Sequence, residues 1–210
     1  ACREVQVNDV IGMAGRGHDA YPTFDLADPM GASTCVACGE CVQACPTSAL
    51  LPAPVVDEAG VGDLDSERTV DTVCPYCGVG CQMRLGVRDG RITHVTGRDG
   101  PANQQRLCVK GRFGFDYVHH PARLTRPLIR LSGTPRDLPA ERSRWRERFR
   151  EAGWDEALAA AAAPLRRIRH QQGPRALAGF GSAKCSNEEA YLFQKLVRTG
   201  FGSNNVDHCT

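Results

Sequence analysis

The sequence predicts a chain of mixed α+β and α/β structure, in which two small cysteine-rich bodies precede the beginning of an α/β domain. Nine of the 11 cysteines lie in the first 108 of the 210 residues, most of them in short runs. Two alternating segments flank an Asp-Gly pair in the middle of the chain. A predicted strand, a helix and a second strand end it. This order of elements indicates several small domains rather than one large core.

The first body covers residues 1–54 and contains a cysteine run that ends in Pro46. The spacing C-x2-C-x2-C-x3-C-P is typical of bacterial ferredoxins, whose thiolates hold a 4Fe–4S cluster. It therefore predicts the carboxy-terminal part of a two-cluster, ferredoxin-like 4Fe–4S module. The cysteines of the run are Cys35, Cys38, Cys41 and Cys45.

The fourth cysteine of such a run ligates the other cluster in two-cluster ferredoxins. Cys2 is then the candidate partner of the first three cysteines, and Cys45 would serve a cluster whose other ligands precede Ala1. The alternative is a one-cluster module, in which Cys45 completes its own set and Cys2 is a free thiol. We favour the crossed arrangement. The prolines and glycines of residues 12–31 predict only a loop insertion between ligands.

Residues 55–70 are acidic and rich in glycine, and are predicted to be a linker. A second body, residues 71–130, follows with three cysteines on one glycine-bearing loop and a distant fourth: Cys74, Cys77, Cys81 and Cys108. Between them, residues 82–87 and 91–97 alternate around Asp89-Gly90, which predicts a β-hairpin. This body is therefore predicted to be a small β-rich 4Fe–4S domain.

A zinc ion held by four cysteines is the alternative for this second set. The uneven spacing and the ferredoxin run immediately upstream favour iron and sulfide. The odd number of cysteines and their tight repeats also favour metal ligation in a reducing compartment over disulfides.

A basic connecting segment, residues 131–153, leads to the third body, residues 154–210. Trp154 opens an alanine-rich helix that Pro164 is expected to kink or end. Residues 175–180 are predicted to be a strand, residues 189–198 a helix capped by Ser186, and residues 205–209 a second strand. These elements predict the beginning of an α/β domain. The loop 181–186 joins strand to helix, where N–H groups attract phosphate.

The charge of the chain is unevenly distributed. The net charge is +2 overall, but residues 1–70 contain 3 basic and 11 acidic residues, whereas the remainder contains 23 and 13. Nine arginines lie between Arg123 and Arg150 without an aromatic stacking pattern, so we expect a solvated or docking surface and no nucleic acid. No stretch reaches the roughly 20 apolar residues of a membrane span. Because the chain begins at Ala1 and stops at Thr210 after a predicted strand, we expect it to be a piece of a longer protein.

Three segments resemble the amino-terminal part of the molybdopterin-dependent oxidoreductases: CPYCGVGCQM, LCVKGRFGFDYVHHPARLTRPLIR and GWDEAL. With the ferredoxin run and the sequence from residue 179 onward, the chain is most similar to the catalytic alpha subunits of cytoplasmic NAD-dependent formate dehydrogenases. The resemblance implies a molybdopterin-binding α/β domain and a bis(molybdopterin guanine dinucleotide) cofactor with molybdenum or tungsten. It also implies a cytoplasmic enzyme that acts on formate and works with flavin- and iron–sulfur-bearing subunits.

The resemblance also assigns roles to residues. It implies that Lys110 relays electrons between the second cluster and the pterin, and that Ser182, Lys184 and Asn187 contact the pterin cofactor. The residue that binds the catalytic metal is expected beyond Thr210. Cys185 and Cys209 are then expected to be buried apolar residues and His208 to be structural.

Two other functions stay open from the sequence. One is a non-catalytic electron conduit similar to the large iron–sulfur subunit of NADH dehydrogenase, which resembles the same family. The other is a zinc-stabilised interaction module. A cysteine or selenocysteine followed by histidine just after Thr210 would favour the enzyme.

Overall fold

A computed structural model describes residues 1–134 and 142–209. The chain divides into two compact units. The first comprises Ala1–His119 with Lys184–Asn187, and the second comprises His120–Ala183 with Glu188–Thr210. All nine predicted cysteine ligands therefore lie in the first unit, whereas residues 120–130 of the second predicted body belong to the second unit. Across the described ranges, no helix combines the length and the apolar character needed to cross a membrane.

The first unit begins with a π-helical turn and a hairpin. The turn covers Cys2–Gln6, and strands β1 (Ile11–Ala14) and β2 (Tyr21–Phe24) pair antiparallel. The expectation of nothing but a loop over residues 12–31 was therefore wrong, because the glycines and Pro22 mark the turn and the edge of a hairpin. Helix α1, Glu40–Ala44, follows within the cysteine run.

The predicted linker is partly ordered. A 3-10 turn covers Ala53–Val55, and Val56 forms an isolated antiparallel bridge with Gly62. Asp57 closes the turn between them, since its carboxylate accepts the N–H groups of Ala59 (2.9 Å) and Val61 (2.8 Å). Regular structure resumes inside the predicted linker, at Arg68.

A three-stranded antiparallel sheet forms the centre of the first unit. Its strands are β3 (Arg68–Val73), β4 (Gln82–Arg88) and β5 (Arg91–Gly97), in that order. The predicted hairpin is confirmed. Asp89 and Gly90 both have positive φ, 50° and 70°, as a type I′ turn requires.

One face of this sheet forms the core of the unit. Cys74, Met83, Val95 and Leu107 are buried together, and partly buried side chains including Tyr76 and Phe115 pack against them. Helix α2, Val109–Phe113, contacts β5. The sheet and α2 thus share a core that contains a predicted ligand, Cys74.

The second unit contains a small hairpin and a strand–helix–strand segment. Strands β6 (Leu128–Arg130) and β7 (Phe149–Glu151) pair antiparallel. Helix α3 covers Trp154–Gln172 and continues through Pro164, so the proline does not end the helix. Strand β8 (Gly179–Ser182) pairs parallel with β9 (Val206–Cys209), and α4 (Asn187–Lys195) lies between them in sequence.

The boundaries of the α/β segment differ from the prediction. The strand predicted for residues 175–180 begins at Gly179, because Pro174–Ala176 forms a 3-10 turn. The helix predicted for residues 189–198 begins at Asn187 and ends at Lys195, and a π-helical turn, Leu196–Phe201, follows it. Val197 of that turn is fully buried, at 0% exposure. A methyl group on Gly179 would overlap Val197, so β8 and the turn approach closely because residue 179 is glycine.

The remaining helical turns are short. A 3-10 helix covers Arg142–Arg148 of the basic segment, whose residues 135–141 lie outside the described ranges. The other 3-10 turns are Gly17–Asp19, Met30–Ala32 and Asp116–His119.

Candidate iron–sulfur ligand sites

The second ligand loop joins two neighbouring strands. Cys74 directly follows β3 and Cys81 directly precedes β4, and the N–H of Cys74 donates to the carbonyl of Cys81 at 2.9 Å. The antiparallel pairing of β3 with β4 therefore holds both ends of the loop. Cys74 is 4% exposed and belongs to the core, which fixes one thiol of the set.

Cys108 lies near this loop at the start of helix α2. It is the N-cap of α2, and its side chain makes no capping hydrogen bond. Gly111 of α2 is buried, and a methyl group there would lie 3.5 Å from the sulfur of Cys74. The helix that begins at Cys108 thus packs against the Cys74 thiol.

The four thiols of this set are close enough to influence one another electrostatically. Burial raises the pKa of the Cys74 thiol, and the thiolates of Cys108 and Cys77 raise it further. Burial also raises the pKa of Cys81, as do the thiolates of Cys74, Cys77 and Cys108. Because each thiolate disfavours the next, holding all four deprotonated requires a positively charged group such as iron.

Three of the thiols in the first set also lie together. Burial raises the pKa of Cys41 on α1, and the thiolates of Cys38 and Cys35 add to that increase. Positive φ values at Ala37 (51°) and Gly39 (73°) bend the chain around these side chains. Cys35, Cys38 and Cys41 therefore lie near one another, and their role as ligands of one cluster stays a prediction.

Cys2 and Cys45 have different surroundings. The turn that carries Cys2 packs against α1, and the Asn8 carboxamide joins it to the ligand loop by accepting the Val36 N–H at 3.3 Å. The pKa of Cys45 is lowered to about 7 by a hydrogen bond with Thr47, whose hydroxyl lies 3.6 Å from the sulfur, and by the N–H groups of Leu50, Thr47 and Ala49. The thiolates that influence Cys41 do not include Cys45.

Backbone N–H groups point at several of these sulfurs. The N–H of Val10 lies 3.4 Å from the sulfur of Cys2, and that of Ala37 lies 3.4 Å from the sulfur of Cys35. The N–H of Tyr76 likewise bonds the sulfur of Cys74 and lowers its pKa. Such hydrogen bonds stabilise thiolates and tune cluster potentials. The chemistry of the donor sets therefore fits iron–sulfur clusters.

Within residues 1–134 and 142–209, no three His, Cys, Asp or Glu side chains are grouped closely enough to hold a single metal ion. Tetrahedral zinc draws its sulfur ligands to about 2.3 Å from one centre. A four-iron cluster spreads its thiolates over a larger body. The thiols of each set do lie near enough to raise one another's pKa.

Lys110 lies on α2, two residues after Cys108, and its side chain is exposed. It lines a mostly apolar cavity of about 230 Å³ with side chains of the core, among them Tyr76, Met83 and Phe115. The Tyr76 hydroxyl donates to the carbonyl of Gly114, just beyond α2. The ligand loop and the helix of Lys110 are thereby joined directly.

The predicted pterin contacts lie on the connection between β8 and α4. Ser182 ends β8, Lys184 follows it, and Asn187 begins α4; all three are exposed. Within the first unit, the Asn187 side chain donates to the carbonyl of Gly78 at 2.9 Å, between the ligands Cys77 and Cys81. Asn187 thus contacts the second ligand loop.

The expected burial of the two remaining cysteines is not observed. Cys185 is partly buried and Cys209 is exposed, because Cys185 lies in the β8–α4 connection and Cys209 ends an edge strand. The sulfur of Cys209 lies 3.9 Å from the Ser182 hydroxyl. His208 is also exposed, and its ring contacts the carbonyl of Cys209 at 3.0 Å.

The sequence did not indicate the polar residues that join the two ligand sets. Arg112 of α2 is 2% exposed and forms an ion pair with Glu40 of α1 at 2.6 Å. Asn103, 7% exposed, ties the loop before Cys108 to the residue after Cys81. Neither Arg112 nor Asn103 belongs to a helix-capping motif or a metal-binding motif. The only available signal was a charged or amide side chain within a few positions of a cysteine ligand.

Comparison with known families gives three matches. Residues 67–120 match the molybdopterin oxidoreductase Fe4S4 domain, and residues 123–210 match the molybdopterin oxidoreductase family. Residues 32–51 match the 4Fe-4S binding domain. These matches support iron–sulfur clusters over zinc at the ligand sites.

Two similar proteins come from staphylococci. A "Putative formate dehydrogenase" of Staphylococcus aureus strain USA300 is 34% identical over 246 aligned positions. One of the same name from Staphylococcus haemolyticus is 32% identical over 246 positions. All of this chain is covered in both comparisons, and it spans 24% of the length of each relative.

The two family matches from residue 67 onward include the second ligand loop, α2 and the α/β segment. The 4Fe-4S match covers the first cysteine run. The chain belongs to the molybdopterin oxidoreductases and is part of a protein similar to formate dehydrogenases.

Proposed function

We propose that the complete protein oxidises formate to carbon dioxide at a molybdenum or tungsten bis(molybdopterin guanine dinucleotide) centre. In this proposal, the first unit carries the electrons away through 4Fe–4S clusters to flavin- and iron–sulfur-bearing subunits, which reduce NAD in the cytoplasm. The names of the similar proteins and the molybdopterin oxidoreductase match support it. Oxidation of formate yields carbon dioxide, a proton and a pair of electrons, so an oxidising centre needs a path for electrons.

One observation carries the proposal: four mutually interacting thiols lie beside the helix that carries Lys110. Iron–sulfur clusters supply one-electron transfer when they are bound at such thiolates. The protein holds the thiolates with the β3–β4 pairing and with α2, and it directs N–H groups at the sulfurs.

Lys110 is the proposed relay between this ligand set and the pterin. Its ammonium group can donate to a pterin heteroatom, and it offsets the negative charge of a cluster held by four thiolates. Ser182, Lys184 and Asn187 are proposed to contact the pterin cofactor. Hydroxyl, ammonium and carboxamide groups suit the phosphates and heterocycles of a pterin dinucleotide.

We further propose that Cys2 completes the cluster of Cys35, Cys38 and Cys41, and that Cys45 serves a different cluster. The packing of the Cys2 turn against α1 and the separate surroundings of Cys45 support this crossed arrangement. If it is correct, Cys2→Ser in the full-length protein should alter the electron paramagnetic resonance (EPR) signal of one ferredoxin-type cluster. An unchanged set of cluster signals would contradict it.

The function can be tested with the anaerobically purified full-length protein. We expect iron and sulfide in cluster stoichiometry, bound molybdenum or tungsten, and reduction of the clusters on addition of formate. Zinc in place of iron would refute the proposal. Reducible clusters without either pterin metal and without formate turnover would instead support a non-catalytic electron conduit.

The relay can be tested in the same protein with Lys110→Ala, and Lys195→Ala serves as a control on another helix. We expect Lys110→Ala to slow cluster reduction by formate without loss of iron. The control should behave as wild type. Turnover equal to wild type in Lys110→Ala would end the relay assignment.

A further inference from the structure

We infer that Arg112 is a positioning residue that fixes the first ligand set against the second, and thereby sets the path for electrons between two clusters. The inference rests on the proposed function, because it takes both sets to hold clusters. Arg112 lies on α2, four residues after the ligand Cys108. Its guanidinium reaches the segment that carries Cys38 and Cys41.

The guanidinium donates three hydrogen bonds, each to a different residue of the first set's segment. Its Nε donates to the carbonyl of Cys38 at 2.6 Å, and its two terminal nitrogens donate to Gln43 Oε1 at 2.8 Å and to Glu40 Oε1 at 2.6 Å. One acceptor is therefore the backbone of a cluster ligand. The planar fork fixes the orientation of its partners as well as their distance.

The two side-chain acceptors, Glu40 and Gln43, also accept backbone N–H groups from the segment that ends in Cys108 and from the end of β5. Glu40 Oε1 also accepts the N–H of Leu107 at 3.0 Å, directly before the ligand. Gln43 Oε1 accepts the N–H of Gly97 at 3.0 Å, where β5 ends. The two ligand segments are thus joined in two ways. Side chains of α1 accept hydrogen bonds from the backbone that precedes α2, and a side chain of α2 donates hydrogen bonds to α1 and to Cys38.

Burial makes this arrangement stiff. The Arg112 side chain is 3% exposed and that of Glu40 is 8% exposed, so little water is available to replace a lost partner. Gly39 permits the close approach, because a methyl group at that position would overlap the Arg112 side chain. A glycine with φ of 73° therefore stands where the arginine lies against the ligand loop.

Rigid spacing matters because the rate of electron tunnelling falls steeply with the distance between redox centres. A buried fork between the two ligand segments keeps that distance constant through cycles of reduction and oxidation. By contrast, the exposed ion pair of Arg84 with Asp71 joins two neighbouring strands, β4 and β3, and not two ligand sets.

The test uses the full-length protein with Arg112→Lys, Gln43→Leu and a matched control, Arg84→Lys. The lysine keeps a positive charge opposite Glu40 but cannot make the three-way fork. Gln43→Leu removes one arm and leaves the ion pair in place. Arg84 also bonds a carboxylate with two nitrogens, at 2.7 and 3.2 Å, but is exposed.

Three quantities are measured for each variant: iron per protein, the spin–spin interaction between the reduced clusters by low-temperature EPR, and the rate of electron transfer between them after rapid mixing. We expect Arg112→Lys to retain both clusters, to weaken the spin–spin interaction and to slow transfer several-fold. Gln43→Leu should also weaken the spin–spin interaction and slow the transfer, but by less than Arg112→Lys. Arg84→Lys should match wild type.

Unchanged spin–spin interaction and transfer rate in Gln43→Leu and Arg112→Lys would overturn the inference, even if the thermal unfolding temperature fell, because the network would then be purely structural. If Arg112→Lys failed to fold, Gln43→Leu would decide alone by the same two readouts. A wild-type protein without iron at either set would refute the proposed function, and so that outcome is distinguishable from failure of the positioning role.

Discussion

Asn103 provides a sharp test of how the protein delivers Cys108 to its ligand set. It is 7% exposed and lies in the loop between β5 and Cys108. Its Oδ1 accepts the N–H of Gln82 at 3.0 Å, and its Nδ2 lies within 3.2 Å of the carbonyls of Gln82, Arg98 and Arg106. Gln82 directly follows Cys81, so one carboxamide ties the neighbour of one ligand to the loop of another.

The change to test is Asn103→Ala. It removes the partner of a backbone N–H and both donors of the carboxamide. A hydrogen bond contributes about 1 kcal/mol, and a buried donor left unsatisfied costs about 1–3 kcal/mol. The free energy of unfolding should therefore fall by about 2–4 kcal/mol. The same change should lower the iron content of the second ligand set, because the loop then holds Cys108 less firmly.

The assay is guanidinium unfolding of the 210-residue chain with its clusters reconstituted anaerobically, together with iron analysis. Asn103→Asp should not rescue stability, because a carboxylate keeps the acceptor but faces three carbonyls. Gln104→Asn is the control, since Gln104 is exposed and its φ of 44° suits asparagine. An Asn103→Ala chain within about 0.5 kcal/mol of wild type and with full iron content would refute the reasoning.

Three further predictions concern the same unit. Arg112→Ala should cost about 3–5 kcal/mol in guanidinium unfolding because it leaves Glu40 buried without its partner, whereas Arg84→Ala should cause no measurable change; equal effects would contradict the role of burial. Gly39→Ala should destabilise the chain by about 1–3 kcal/mol through overlap with Arg112, and a thermal unfolding curve that coincides with wild type would disprove the close contact. Burial, and to a smaller extent the Arg88 charge, lowers the pKa of His94 below 6.5. The unfolded chain therefore binds the proton more readily than the folded chain, and the free energy of unfolding should fall as the pH drops below about 6.5. His94→Gln should reduce this fall, which is measured by comparing unfolding at pH 7.5 and pH 5.5.

Patterns that act over a few residues were sufficient to predict much of the fold. The Asp89-Gly90 pair located the β4–β5 hairpin, because only a few residue types accept two successive positive φ values. Trp154 and the acidic residues after it located the start of α3. Cysteine spacing also predicted that the thiols of each run lie near one another, because only two or three residues separate them. Their role as cluster ligands stays a prediction.

Predictions that depended on packing were less accurate. Proline was expected to interrupt α3, but the helix continues through Pro164. Residues 175–180 were predicted to be a short buried strand. A 3-10 turn covers Pro174–Ala176 instead, and pairing with β9 begins only at Gly179, where the glycine lets Val197 approach. The side chains of Cys185 and Cys209 are more exposed than cysteines outside ligand sets usually are, which local sequence does not reveal.

The amino-acid sequence alone determined the order and spacing of the cysteines, and the position of Lys110 beside one of them, on which the predicted ligand sets depend. Only the tertiary structure decided how the ligand sets are joined. Arg112 and Glu40 are 72 positions apart, and no periodicity predicts that they form a buried ion pair. The physical reason is that the spacing of the cysteines is set by the covalent chain. The contact between Arg112 and Glu40 forms only when the sheet, α1 and α2 pack together.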